Sequence, residues 1–191
     1  MAKAISAQEA PLPFFSIIIP TYNRTKDLLQ TLSALEKQTY QSFEVVVCSA
    51  GNKETFQKLK TQASSFPINN LYLESPGRTL QRNHACKNAR GSYFVFIDDH
   101  FIAHPNLLKN YSGLIHTCPD PVHFIRGGVL FSKKPVPVKD SQIDECVQYR
   151  WHHLQDPFQM SVTNNLCISR YAFEGVGGFD EDFKFYGRSE E

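Results

Sequence analysis

Phe43-Glu44-Val45-Val46-Val47 sets three valines in a row, where a strand with one wet face would alternate apolar and polar residues. Such a run reads as a parallel strand covered on both faces. Working outward from it, further strands are predicted at Ser16–Ile19, closed by Pro20, at Leu71–Leu73 and at Tyr93–Ile97. Helical patterns lie between them. Thr25 is placed to cap a helix carrying Leu28, Leu29, Leu32 and Leu35 on one face. A polar helix fits Glu54–Ala63, and a third fits Thr79–Ala89, stopping at Gly91. Strand and helix thus alternate four times. That pattern implies an α/β domain with a mostly parallel central sheet flanked by helices.

The second half is less regular. Pro105 suits the first turn of a helix ending near His116. His123–Phe131 reads as a strand interrupted by Gly127-Gly128. Ser132–Asp140, with two prolines, reads as a loop, and Gln142–His153 as helical. Leu166–Ser169 fits a strand and Gly175–Gly178 a turn. Residues 1–13 read as a flexible leader before a single domain over 14–191.

Composition narrows the function. The chain has 191 residues, enough for one domain whose core needs no disulfide or metal. Lys and Arg number 20 against 19 Asp and Glu, so no global charge draws it to nucleic acid or an anionic membrane. Its five cysteines are odd in number, widely spaced and free of any CxxC pair, which fits buried or free thiols in a reducing cytosol. The first twenty residues lack a signal-peptide pattern, and no apolar stretch is long enough to span a bilayer.

In parallel α/β sheets, ligands sit beyond the carboxyl ends of strands, where strand order reverses. Pro20-Thr21-Tyr22-Asn23-Arg24 follows the first strand and offers hydroxyls, an aromatic face and a cation; a polar loop with a helix cap is the structural alternative. Asp98-Asp99-His100 follows an apolar strand. Carboxylates are seldom buried without a partner, and a divalent cation is one such partner. Oxygen plus imidazole suits Mn²⁺ better than Ca²⁺. The alternative is a capping Asp beside a solvated His100. Gly77 to Asn83 opens a helix with Arg78 and Arg82, which suits a diphosphate or, equally, a solvated basic face. It is neither a Walker loop nor a GxGxxG fingerprint, and no GxSxG elbow occurs. Gly177-Gly178-Phe179-Asp180-Glu181-Asp182 and the terminal Glu190-Glu191 could hold a general base or form an acidic surface loop.

In their order along the chain, these pieces resemble glycosyltransferase family 2. Phe15 to Arg24 looks like that family's opening strand and loop. Gln38-Thr39-Tyr40 with Phe43 to Val47 looks like its first helix end and second strand. Arg82-Asn83, then Gly91 to His100, looks like its approach to the metal motif. Asn164-Asn165, then Gly177 to Glu181, looks like its acceptor-side segment.

The resemblance implies a Rossmann-like GT-A fold, with a nucleotide-sugar-binding half over 14–104 and an acceptor-side half over 105–191. It implies transfer of a sugar from a nucleotide-diphosphate donor to a glycan, lipid-linked or other hydroxyl acceptor, with inversion. It also implies a divalent metal, Mn²⁺ favoured over Mg²⁺, and a cytoplasmic chain, free or peripheral to the membrane. By the same resemblance Asp98 and His100 hold the metal and Asp99 lies near the sugar or ribose. Pro20, Thr21, Tyr22, Arg24 and Ser49 line the nucleotide site, and Arg78 or Arg82 faces the diphosphate. The base is Glu190, Glu191 or Asp180.

Three departures stand out. By the same resemblance, Ser49 occupies the position of the family's Asp that contacts the nucleobase or ribose, which puts donor-base preference in question. His100 replaces the third Asp of the metal motif. Glu191 falls where family members continue into a helix, so the chain reads as C-terminally incomplete.

Overall fold

The computed structural model describes residues 14–117, 124–128, 149–150 and 163–182, the backbone alone at 149–150. The leader, the proline loop, and Glu190 and Glu191 lie outside the described residues. So does Gln142–His153, apart from Tyr149 and Arg150.

Five strands and four helices fill the first part: β1 Phe15–Tyr22, α1 Thr25–Leu35, β2 Phe43–Ala50, α2 Glu54–Lys60, β3 Ile68–Leu73, α3 Arg78–Lys87, β4 Tyr93–Phe96, α4 Leu107–Thr117 and β5 Phe124–Arg126. Then come β6 Tyr149–Arg150, β7 Leu166–Ser169 and α5 Arg170–Gly175. The sheet order is β3-β2-β1-β4-β7-β5-β6. Pairing is parallel from β3 through β4 and antiparallel from there on. The parallel α/β half is as the valine run implies.

Alternation along the strands sorts the core into two layers. Phe15, Ile17, Ile19, Val45, Val47, Val95 and Ile97 face Leu28, Leu32 and Leu35 of α1 and Leu108 and Tyr111 of α4. Ile18, Val46, Phe94, Phe96 and Ile168 face Ala85 and Cys86 of α3 and Phe173 of α5. Both faces of β1, β2 and β4 are therefore dry, which is why their sequences do not alternate, whereas the edge strand β3 is half-buried. Cys48, Cys86 and Cys167 are buried free thiols, and burial pushes Cys48 up to about 12.

Several sequence readings need correction. β1 runs three residues past Ile19 and includes Pro20. The Ile18 carbonyl accepts from Ile97 N at 3.2 Å, so the backbone of Ile18, and of Pro20 two residues on, faces β4. Pairing with β4 ends at Ile18, so the missing N–H of Pro20 points where no ladder remains. β2 likewise runs on to Ala50 against β3, placing Ser49 inside the sheet. Thr25 does not cap α1. It is the first helical residue, and its hydroxyl meets that of Thr55 at 2.7 Å. Tyr149–Arg150, read as helical, is a strand, because pairing with β5 overrides local preference. Gly91 packs against β1 so closely that a Cβ there would lie 2.6 Å from Ser16 N.

Candidate active site

The carboxyl ends of β1 and β4 form the switch point of the sheet, since β2 lies on one side of β1 and β4 on the other. Residues from five elements converge there. Thr21, at the end of β1, is buried and donates from Oγ1 to Asp99 Oδ2 at 2.8 Å. Thr31, on the buried face of α1, donates to the Asp99 carbonyl at 2.8 Å. Asp99 is thus fixed at both backbone and carboxylate. Its Oδ1 meets His100 Nδ1 at 3.1 Å and lies 4.0 Å from Arg24 Nη1. The hydrogen bond His100 gives to the Asp99 carboxylate raises the pKa of His100, with the charges of Asp98 and Asp99 adding, while partial burial and Arg24 oppose. With Nδ1 turned to Asp99, the exposed imidazole keeps Nε2 for a ligand.

Asp98 is half-buried. Its N–H donates to Asn164 Oδ1 at 3.3 Å, and its Oδ1 accepts from Arg82 Nη2 at 3.1 Å. Asn164 stands at the entry to β7, which runs against β4 and so brings its own first residues to the end of β4. Its neighbour Asn165 adopts φ +60°. The Tyr111 hydroxyl donates to Asn165, to its carbonyl at 2.9 Å and to its Oδ1 at 2.8 Å.

Arg82 is nearly fully buried, and its Nε finds no acceptor among the described residues. Its guanidinium turns to Asp98 and lies 5.9 Å from the Phe179 ring centroid. Burial pulls its pKa down, and Asp98 opposes that shift. Arg78, at the start of α3, is exposed. Ser49 is fully buried and donates to the Leu71 carbonyl at 3.1 Å, so its hydroxyl is engaged within the sheet. Tyr22 is exposed, and its ring edge covers Gly51. Asp180 is exposed and accepts from Asp182 N at 2.9 Å.

Three supporting residues are given no role of their own in the sequence reading. Thr31 is a polar residue on an otherwise apolar helix face, a signal that was available. Gln81 donates from Nε2 to the carbonyls of Thr21 at 2.9 Å and Cys48 at 2.7 Å, tying the ends of β1 and β2 together. Asn83 donates to the Phe179 carbonyl at 2.8 Å and accepts from Phe179 N at 2.9 Å, anchoring the segment around Phe179 to α3.

Among the described residues, no three His, Cys, Asp or Glu side chains gather to cage a metal. Asp98 and His100 nevertheless offer hard oxygen and imidazole, a donor set that fits a divalent cation completed by phosphate oxygens.

A mixed sheet of this order, with Asp98 and Asp99 beyond the carboxyl end of β4, is the GT-A fold of the solved structures it superposes on. The family profile "Glycosyl transferase family 2" matches residues 16–124, and the chain belongs to that family. Validoxylamine A glucosyltransferase of Streptomyces hygroscopicus subsp. jinggangensis is 26% identical over 92% of this chain and 49% of its own length. Chondroitin synthase of Escherichia coli is 24% identical over 90% of this chain and 30% of its own. Among solved structures, Staphylococcus aureus TarS 1-349 superposes with TM-score 0.70 at 22% identity, over 90% of this chain and 52% of that one. The mannosyltransferase PcManGT of Pyrobaculum calidifontis, in complex with GDP-Man and Mn²⁺, gives 0.62 at 17%, over 90% and 49%. TarS 1-349 is also known in complex with UDP and with UDP-GlcNAc. The chain spans about half the length of the first curated relatives it matches. None of the helices among the described residues is long and apolar enough to cross a membrane.

Proposed function

We propose that this chain carries the donor-binding centre of an inverting glycosyltransferase that moves a sugar from a nucleoside diphosphate to an acceptor hydroxyl. The observation that most supports this is the buried bond between Thr21 and Asp99, which brings the loops after β1 and β4 to one point beside Asp98 and His100. UDP, UDP-GlcNAc and GDP-Man in neighbouring structures favour a nucleotide-diphosphate donor without choosing its base.

The nucleoside lies along the strand ends at Pro20, Thr21 and Tyr22, beside Ser49. Arg24 and Arg78, the more accessible arginines, face the diphosphate, and Asp99 faces the ribose or sugar. Asp98 and His100 would hold a divalent cation, Mn²⁺ favoured over Mg²⁺. When bound, that cation offsets the negative charge that grows on the departing diphosphate. The acceptor oxygen forms the new bond to the anomeric carbon as the bond to the diphosphate oxygen breaks. The acceptor proton passes to a carboxylate, Glu190, Glu191 or Asp180, and in-line displacement inverts the configuration. The acceptor is a glycan, lipid-linked or other hydroxyl, met by the 105–191 half, in the cytoplasm or at a membrane surface.

The test pairs binding with turnover. Thermal stability is measured against UDP, GDP, dTDP and CDP, each with and without Mn²⁺. A nucleotide at 100 times its Kd adds roughly 2.7 kcal/mol, a rise of several degrees. Donor hydrolysis or transfer is then compared between wild type and Asp98→Ala. Loss in the variant is expected, and unchanged transfer overturns the metal role. A second reading is a nucleotide-sugar-binding module without transfer, motivated by Ser49 standing uncharged where the family usually has an Asp. Turnover by the 191-residue chain excludes it.

A further inference from the structure

Gln81 is a neutral amide sealed where α3 meets the ends of two strands. It is 2% exposed, and its Nε2 reaches two acceptors, the Thr21 carbonyl at 2.9 Å and the Cys48 carbonyl at 2.7 Å, which matches its two hydrogens. Its backbone N donates to the Gly77 carbonyl at 2.7 Å, and its Oε1 faces Gly77 N at 3.5 Å. One residue thus joins the entry of α3 to β1 and β2 at once.

The fold does not need this amide to dock the helix or to hold the strands. Ala85 and Cys86, one turn on, already bury α3 against Ile18 and Val46. β1 and β2 pair along their whole length, Phe15–Tyr22 against Phe43–Ala50. What these contacts leave unfixed is the first turn of α3, where Arg78 is exposed and Thr79 and Leu80 are half-buried. Arg82 and Asn83 reach elsewhere, to Asp98 and to Phe179. Gln81 therefore seats that turn, and Arg78 lies one turn before it on the same side of the helix. We infer that Gln81 is a positioning residue for the donor: it sets the first turn of α3 against the ends of β1 and β2, so that the nucleoside at the strand ends and the outer phosphate at Arg78 are met at one spacing. This role rests on the donor reading above. Losing the amide costs the hold on the outer phosphate and spares the rest of the nucleotide.

The test is calorimetry of UMP and UDP, GMP and GDP, dTMP and dTDP, and CMP and CDP on the 191-residue chain and on Gln81→Met, all at saturating Mn²⁺. The quantity read is the ratio of the monophosphate Kd to the diphosphate Kd. Gln81→Met keeps the length of the side chain and removes the amide. Its ratio is expected to fall by about tenfold, the size of one hydrogen bond to a charged phosphate, while the monophosphate Kd stays within about threefold of wild type. A residue serving stability alone would lower Tm and leave the ratio where it was. Gln81→Glu tests the same point if Gln81→Met does not fold. Protonated, its carboxyl still donates to one carbonyl; ionised, it donates to neither, and burial raises its pKa toward neutrality. Its ratio, taken relative to wild type at the same pH, is expected to be higher near pH 6 than near pH 8. An unchanged ratio in folded Gln81→Met, equal weakening of both phosphates, a Gln81→Glu ratio flat with pH, or a wild type with no preference for the diphosphate overturns the role of Gln81 and leaves the donor reading standing. No nucleotide binding to wild type under any condition overturns the donor reading, and the role of Gln81 with it.

Discussion

Replacing Thr21 by valine keeps the shape of the side chain and removes one hydroxyl from the centre of the site. Thr21 is 3% exposed, and its Oγ1 donates to Asp99 Oδ2 at 2.8 Å. A hydrogen bond to a charged acceptor contributes about 1.5–3 kcal/mol. Asp99 retains His100 at 3.1 Å on its other oxygen, so the carboxylate is not abandoned. A loss of about 2 kcal/mol is therefore expected. For a domain of this size, each kcal/mol moves Tm by about 2–4 °C, so Thr21→Val is expected to melt about 4–8 °C below wild type. Scanning calorimetry measures this, with Thr21→Ser, which keeps the hydroxyl, as the control expected to fall less. A double-mutant cycle with Asp99→Asn isolates the coupling between the two side chains. A Thr21→Val protein melting within about 1 °C of wild type, or a cycle with no coupling, refutes the reasoning.

The His100–Asp99 contact makes stability depend on pH in a definite direction. Because His100 is raised when folded, its contribution is complete below the ordinary histidine value of 6.5 and is lost as pH rises through the raised value. The difference between wild type and His100→Gln in urea unfolding is therefore expected to be larger near pH 6 than near pH 9, and a flat difference contradicts it. At Gly91, an added methyl would meet Ser16 N at 2.6 Å and Phe15 C at 2.7 Å, both backbone atoms that cannot step aside. Gly91→Ala is expected to cost about 1–3 kcal/mol, read as a lower urea midpoint at unchanged slope, and an unmoved midpoint would show that β1 yields.

The parallel half of the sheet was legible because double burial leaves a plain mark: unbroken apolar runs such as Val45-Val46-Val47, spaced by helices. The end of β4 was legible for the same reason, since Asp98-Asp99-His100 breaks such a run abruptly, whereas β1 and β2 run three residues past the ends that Pro20 and Cys48 suggested. What was hidden depends on contacts between distant segments. Nothing local places Leu166–Ser169 between β4 and β5, or Tyr149–Arg150 in a strand. Gln81, Arg82 and Asn83 are three consecutive polar residues, and an amphipathic helix should expose at least one. All three are buried because α3 is covered on one side by the sheet ends and on another by the Phe179–Glu181 segment. That is why Arg82, read from the helix start as aimed at the diphosphate, turns to Asp98.

The antiparallel β7 has a kinetic consequence. The bonds of the centre join residues 78 apart at Thr21–Asp99, 68 at Thr31–Asp99 and 66 at Asp98–Asn164. Each such closure must meet its loop entropy before any contact repays it, and non-local pairing of this kind slows folding. Local units such as α1 can form early, whereas the centre awaits the arrival of β7. During synthesis, the carboxylates of Asp98 and Asp99 therefore emerge well before the asparagine that holds Asp98 in place. A nascent chain halted before Asn164 would carry most of the centre's charged side chains without the finished site.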